Sequence, residues 1–165
     1  MKTLQQVFLP FLFILLCCIK GIAQNGSQAN TNKEMEKGVM LNESNLQWMD
    51  APPNLPKGAK LTILQGNPFQ EGPFVIRADF PADYKMLAHT HGSAENITII
   101  KGSLYLGEGE KFDESKAKVL NVGGFASMPG VHYAFTKEPC TFQVHGMGPF
   151  VITYINPADD PSAKK

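Results

Sequence analysis

His89-Thr90-His91-Gly92-Ser93-Ala94-Glu95, continuing as Asn96-Ile97-Thr98-Ile99-Ile100-Lys101-Gly102, is the stretch on which the reading of this chain turns. Imidazoles at i and i+2 stand on one face of an extended strand, so both can reach a single cation from the same side. Glu95 adds a hard anionic oxygen, and a His, His, carboxylate set suits a first-row divalent metal better than calcium or magnesium. One unbroken strand would carry Glu95 roughly 20 Å from His89. The chain must therefore turn between them. Gly92-Ser93 supplies the turn, and the β-branched run that follows returns the carboxylate toward the imidazoles.

Outward from this motif, short apolar runs alternate with turn signals. Strands are expected at Lys60 to Leu64, in PFVIRADF, ENITIIKGSLYLG, AKVLNV, GFASMP, HYAFT, TFQVHG and FVITYI, with turns at QGNPFQEGP, FPADYK, GEGEKFDESK, NVGG and KEP. Helix is nearly absent, although KFDESKAK could form one turn. Seven or more short antiparallel strands hide their edges by closing into a small β-barrel or a double-sheet jelly roll, whose interior is a natural ligand cavity. Phe80, Met86, Tyr105, Tyr133, Phe135 and Tyr154 divide between core and pocket wall. Tyr133, next to a candidate ligand, faces the other way in a straight strand. Trp48 is expected to cap a core edge.

The chain has 165 residues, enough for one domain with a substantial core. Lys2, the apolar run VFLPFLFILLCCI and the small residues Gly21 and Ala23 read as a cleaved export signal over residues 1–23. The apolar run is short for a membrane span and Pro10 interrupts it, so no stable anchor is expected after cleavage, and the protein is placed in the periplasm or outside the cell. Residues 24–40 are polar and aperiodic and read as a flexible leader, leaving one domain over residues 41–165. Cys140 is then the single mature cysteine, so no disulfide framework is expected and the thiol reads as a small core residue. The chain is formally neutral and Arg77 is its only arginine, which leaves nucleic-acid binding without electrostatic support. The acidic loop GEGEKFDE lacks EF-hand spacing and reads as a solvated turn.

A second cluster, GGFASMPGVHYAF, spans residues 123–135. Gly123-Gly124 and Pro129-Gly130 are turns, and His132 opens an aromatic strand that could complete a four-ligand set with His89, His91 and Glu95. Together the two clusters resemble the cupin superfamily of small β-barrels. Its first motif, G-x5-HxH-x3,4-E-x6-G, is matched by Asp83, His89, His91, Glu95 and Gly102; its second, G-x5-P-x-G-x2-H-x3-N, by Gly123, Pro129, Gly130, His132 and Thr136. From about Asp50 to Pro161 the chain resembles small single-domain bacterial cupins, with GPFVIRADFP before the metal motif and GPFVITYINPADDP after it. The resemblance implies that His89, His91, Glu95 and His132 are metal ligands. Three departures stand out. Asp83 replaces a glycine, Thr136 replaces the terminal asparagine, and only Gly130 and Val131 separate Pro129 from His132, two residues fewer than the pattern. A ring displaced by that short turn would leave a three-ligand site.

The resemblance implies a metal-dependent enzyme of dioxygenase, isomerase or decarboxylase type acting on a small organic molecule. The alternative is a non-catalytic ligand-binding or sensor module with a structural metal. Iron, manganese, zinc, nickel and copper all suit the donor set. His145 in TFQVHG is a candidate acid/base or supporting partner within the cavity, or else a packed structural residue. Pairing of barrel edges could give a homodimer.

Overall fold

A computed structural model of the chain describes residues 38–163, so the expected signal segment and most of the expected leader lie outside the described residues. Eleven strands are present among them: β1 (Met49–Asp50), β2 (Lys60–Gln65), β3 (Gly72–Phe80), β4 (Lys85–Thr90), β5 (Glu95–Lys101), β6 (Leu104–Glu108), β7 (Lys118–Leu120), β8 (Phe125–Met128), β9 (His132–Phe135), β10 (Cys140–Gly148) and β11 (Thr153–Tyr154). Two antiparallel sheets result, one in the order β1-β2-β3-β10-β5-β8 and the other β11-β4-β9-β6-β7. The only helical pieces among the described residues are 3-10 turns of three residues, one of them at Glu114–Lys116 within the KFDESKAK segment.

Period-two alternation places the core. On β3, Phe74, Ile76, Ala78 and Phe80 point inward, and on β10 Cys140, Phe142 and Val144 do the same. Ile97 and Ile99 complete the inner face of the six-stranded sheet, opposite Met86, Leu104, Leu106 and Ala134 of the other sheet. Each fully buried aliphatic side chain here contributes about 1.5–3 kcal/mol. Cys140 is completely buried in this layer, as a small core residue. Trp48 remains 37% exposed and stands outside the core cluster.

Three local features depart from simple strand reading. ENITIIKGSLYLG is two strands, because the chain turns at Gly102, whose φ is 72° and where a Cβ would run into the Pro139 carbonyl. That turn moves the chain from one sheet to the other, with Glu95 at the head of β5 in the six-stranded sheet. FVITYI pairs only at Thr153 and Tyr154. Its first half is held by other means: the Phe150 N–H donates to the Pro68 carbonyl, and Phe150 and Ile152 pack against the core. Finally, the loop between β6 and β7 exposes its acidic side chains but is not merely solvated. Phe112 packs against Tyr133 and Phe135, and Asp113 accepts the Tyr133 hydroxyl hydrogen through its carbonyl at 2.7 Å. Tyr133 accordingly faces away from the barrel interior.

Candidate metal centre

Three of the four histidines of the chain converge at one end of the barrel. His89 on β4 pairs directly with His132 on β9, while His91 lies just beyond the end of β4. A β-bulge makes this possible. Between Met86 and His89 β4 carries one residue more than β9 does between Ala134 and His132, so Met86 and His89 both face inward three positions apart. Without the extra residue His89 would point out of the barrel.

The short turn before β9 does deliver His132. One ring nitrogen from each of His89, His91 and His132 lies within 4.8 Å of the others, close enough to hold one metal ion. Glu95 reaches in from the opposing sheet, with Oε2 3.1 Å from His132 Nε2 and 3.5 Å from His91 Nε2. His89 is 2% exposed, His132 1% and Glu95 8%.

The second nitrogen of every ring is committed to a backbone carbonyl: His89 Nδ1 to Leu87 at 2.7 Å, His132 Nδ1 to Gly130 at 2.9 Å, and His91 Nδ1 to Val151 at 3.2 Å. A carbonyl only accepts, so each Nδ1 carries a proton and each Nε2 is the atom presented toward the centre, with a free lone pair whenever its ring is neutral. This is the arrangement by which metal-bound imidazoles are oriented. His91 Nε2 is in addition buried with no hydrogen-bond partner, since Glu95 at 3.5 Å is too distant for a good bond. Buried polar atoms left unpaired are rare and costly, and a cation at the centre of the three rings would satisfy this one. The residues therefore fit a metal.

Electrostatics agree with that fit. Burial, then the neighbouring imidazoles of His132 and His91, pull His89 down to about 3, so it stays neutral and available. Burial alone would raise the Glu95 carboxyl, but the His132 and His91 imidazoles outweigh it and hold the group at about 2. Burial works against charge on His132 too, yet the hydrogen bond and charge of Glu95 raise it above the ordinary value. A proton taken up by the metal-free cluster is best held on His132, whose Nε2 faces the ionised Glu95 carboxylate.

A cavity of about 200 Å³ opens onto the cluster. His89, His91 and Glu95 form its polar floor, and its walls are mostly apolar, including Leu55, Leu61, Phe69, Phe80, Phe142, Phe150 and Ile152. Among the described residues, Asp50 is the only other ionisable one lining it. A deeper chamber of about 30 Å³ beyond it is lined by His132, Met86, Leu104 and Leu106. A larger surface groove of about 410 Å³, between the β7 and β8 edges, holds none of the clustered histidines.

His145 does not belong to this site. It is exposed on β10 between inward-facing Val144 and Gly146, on the outer face of the sheet, and bonds to Gln143 at 2.8 Å. The expected role as an acid/base within the cavity is thereby corrected, because strand parity that buries Phe142 and Val144 turns Gln143 and His145 outward. Sequence reasoning also missed Phe150, whose ring stacks on His91 at 4.1 Å with an 8° interplanar angle. An aromatic residue in a run otherwise read as strand gave no signal of that role. Asp83 and Thr136, the two departures from the motif glycine and asparagine, serve one turn: Asp83 takes φ 58°, and Thr136 Oγ1 donates to the Pro81 carbonyl at 2.6 Å and accepts the Tyr84 N–H at 3.1 Å. Thr136 thus ties the end of β9 to the turn that opens β4.

No curated protein matches this chain by sequence. Among solved structures it is similar to the polyketide cyclase RemF from Streptomyces resistomycificus, with a TM-score of 0.64 and 14% identity over 76% of this chain and 91% of that one. An acetylacetone dioxygenase from Acinetobacter johnsonii aligns with a TM-score of 0.56 and 15% identity, covering 78% and 89% of the respective chains. A cupin-2 domain protein from Rhodospirillum rubrum gives 0.54 and 11%, covering 74% and 84%. At such identities the likeness concerns the fold, the cupin jelly roll. A family model described as a domain of unknown function (DUF4437) matches residues 21–153, and the chain belongs to that family.

Proposed function

We propose that this protein is a metal-dependent enzyme acting on a small, largely apolar organic molecule, with His89, His91, His132 and Glu95 as the metal ligands. The observation that carries the reading is the set of three convergent Nε2 atoms, each ring fixed by an Nδ1–H to carbonyl bond, with the His91 nitrogen buried and unpartnered beneath an apolar cavity. Bound iron, manganese, nickel, copper or zinc would supply Lewis acidity and, for the redox-active ions, oxygen chemistry. The residues of the chain do the rest. The imidazoles hold their donor atoms in place, the ionised Glu95 carboxylate supplies negative charge beside them, and the aromatic and aliphatic walls exclude water from the floor.

The cavity also narrows the choice of reaction. With Asp50 the sole ionisable lining residue besides the ligands among the described residues, it offers little acid and base machinery, which favours an oxygenase type over an isomerase. The dioxygenase among the structural neighbours supports the same direction by analogy of fold. The same scarcity of catalytic groups favours, as a second reading, a binding or sensor module in which the metal anchors a ligand. We further propose, from residues 1–23, that the protein acts after export.

Oxygen uptake distinguishes the two. The protein loaded with each metal in turn is incubated with small β-diketones, phenols and, as a polar comparison, sugar acids. The enzyme reading expects turnover of an apolar chelating compound and none of the sugar acids, since no lysine or arginine lines the cavity to meet their extra charge and hydroxyls. Tight binding of the same compounds without turnover supports the sensor, and turnover confined to sugar acids overturns the substrate class.

A further inference from the structure

We infer that the outer face of the six-stranded sheet carries a second, metal-independent binding site for a small monocarboxylate with an apolar body, centred on Arg77, Gln143 and His145. This site lies back to back with the metal cavity, because β10 sends Phe142 and Val144 inward and Gln143 and His145 outward. Arg77, on neighbouring β3, pairs in register with Gln143.

The hydrogen bonds within the cluster decide what it can bind. Arg77 Nε donates to Gln143 Oε1 at 3.1 Å, and Gln143 Nε2 lies 2.8 Å from His145 Nε2. A carboxamide nitrogen only donates, so His145 Nε2 accepts and its proton resides on Nδ1. Both side-chain acceptors of the cluster, Gln143 Oε1 and His145 Nε2, are thus engaged within it. The groups left over are the Nη–H donors of Arg77, the second Nε2–H of Gln143 and the Nδ1–H of His145, none of which has a protein partner among the described residues. Nor does any carboxylate among the described residues lie within ion-pair distance of Arg77. A surface offering donors and a positive charge with no carboxylate to neutralise it is complementary to an anion. The guanidinium fork matches a carboxylate bidentately.

A hollow of about 280 Å³ surrounds these donors, walled by Leu64 and Val75 of the sheet and overhung by Val39, Leu41 and Leu46 of the chain that precedes β1. Among the described residues, no acidic side chain lines it. One cation suits one negative charge, and the aliphatic walls suit a hydrocarbon body, which together favour a monocarboxylate over a phosphate ester.

The test is calorimetric titration of the metal-loaded protein with hexanoate, alongside acetate and hexan-1-ol. Saturable hexanoate binding is expected, with acetate and hexanol each weaker by about tenfold or more, as each lacks one of the two recognition elements. Arg77→Met should weaken hexanoate by about tenfold or more while metal content and thermal melting stay close to those of the parent protein. His145→Phe, which keeps the ring volume, should weaken it severalfold. Stripping the metal with a chelator should leave hexanoate affinity unchanged. The inference is overturned by absence of saturable binding, by equal affinity in Arg77→Met, or by hexanoate binding that disappears with the metal and so belongs to the cavity floor.

Discussion

Acidifying the metal-free protein is expected to destabilise it chiefly through His89, and the size of the effect follows from its surroundings. Burial and two neighbouring imidazoles hold the folded-state pKa near 3, against 6.5 for an unhindered ring. Between those values the unfolded chain takes up a proton that the folded chain refuses. Stability contributed by neutral His89 is thus present above pH 6.5 and is lost at about 1.4 kcal/mol per unit as pH falls. From pH 6.5 to 4.5 the loss is about 2 kcal/mol, a large part of the 5–15 kcal/mol typical of a domain. Glu95, lowered from 4.5 to about 2, adds its own loss only below pH 4.5. His132 acts with the opposite sign. Its raised folded pKa gives stability that is complete below 6.5 and is lost as pH rises through the folded value. Maximum stability of the metal-free protein is expected near pH 6.5. Urea midpoints at closely spaced pH values, for the parent protein and His89→Gln, measure this directly. The variant should lack most of the limb between pH 6.5 and 4.5; parallel limbs in the two proteins would refute the reasoning.

Other consequences are equally concrete. Glu95→Gln keeps the side-chain volume but removes the charge that holds the His132 proton, so the His132 pKa should fall in an NMR titration and metal affinity should drop by about tenfold or more. Phe150→Leu preserves apolar volume but abolishes the stack on His91. Metal affinity is expected to fall severalfold, with a folding cost of only about 1 kcal/mol in urea denaturation, and unchanged affinity would remove Phe150 from the account. At Gly107 any Cβ overlaps the Tyr133 ring that seals the outer face of the second sheet, so Gly107→Ala should cost about 1–3 kcal/mol by the same assay.

The residues of the site were legible because their chemistry is tied to spacing. His89 and His91 at i, i+2, a glycine-serine turn and Glu95 on the returning strand could be read along one stretch, and His132 followed from the second cluster. How His89 is aimed was not legible. The bulge between Met86 and His89 is a mismatch in residue count between two strands, and such a mismatch exists only once β4 and β9 are paired. For the same reason the short turn after Pro129 could be seen as a departure from the pattern, but whether it positioned His132 depended on where β9 docks. The carbonyls of Leu87, Gly130 and Val151 leave no mark in side-chain identity at all. His145 is the contrary case. TFQVHG alternates Phe142 and Val144 with Gln143 and His145, and this parity already argued for an outward imidazole. The single-strand reading of ENITIIKGSLYLG failed at Gly102, where continuous β-propensity concealed a turn set by one glycine and a close carbonyl.

Metal content tests the central claim most directly. After separate exposure to iron, manganese, nickel, copper and zinc, followed by removal of unbound ions, elemental analysis should find about one equivalent of at least one of them per chain. His89→Ala combined with His91→Ala should lose that metal while the circular dichroism of the β-barrel persists. Failure to retain any of the five ions stoichiometrically, or full retention after both imidazoles are removed, would contradict the account.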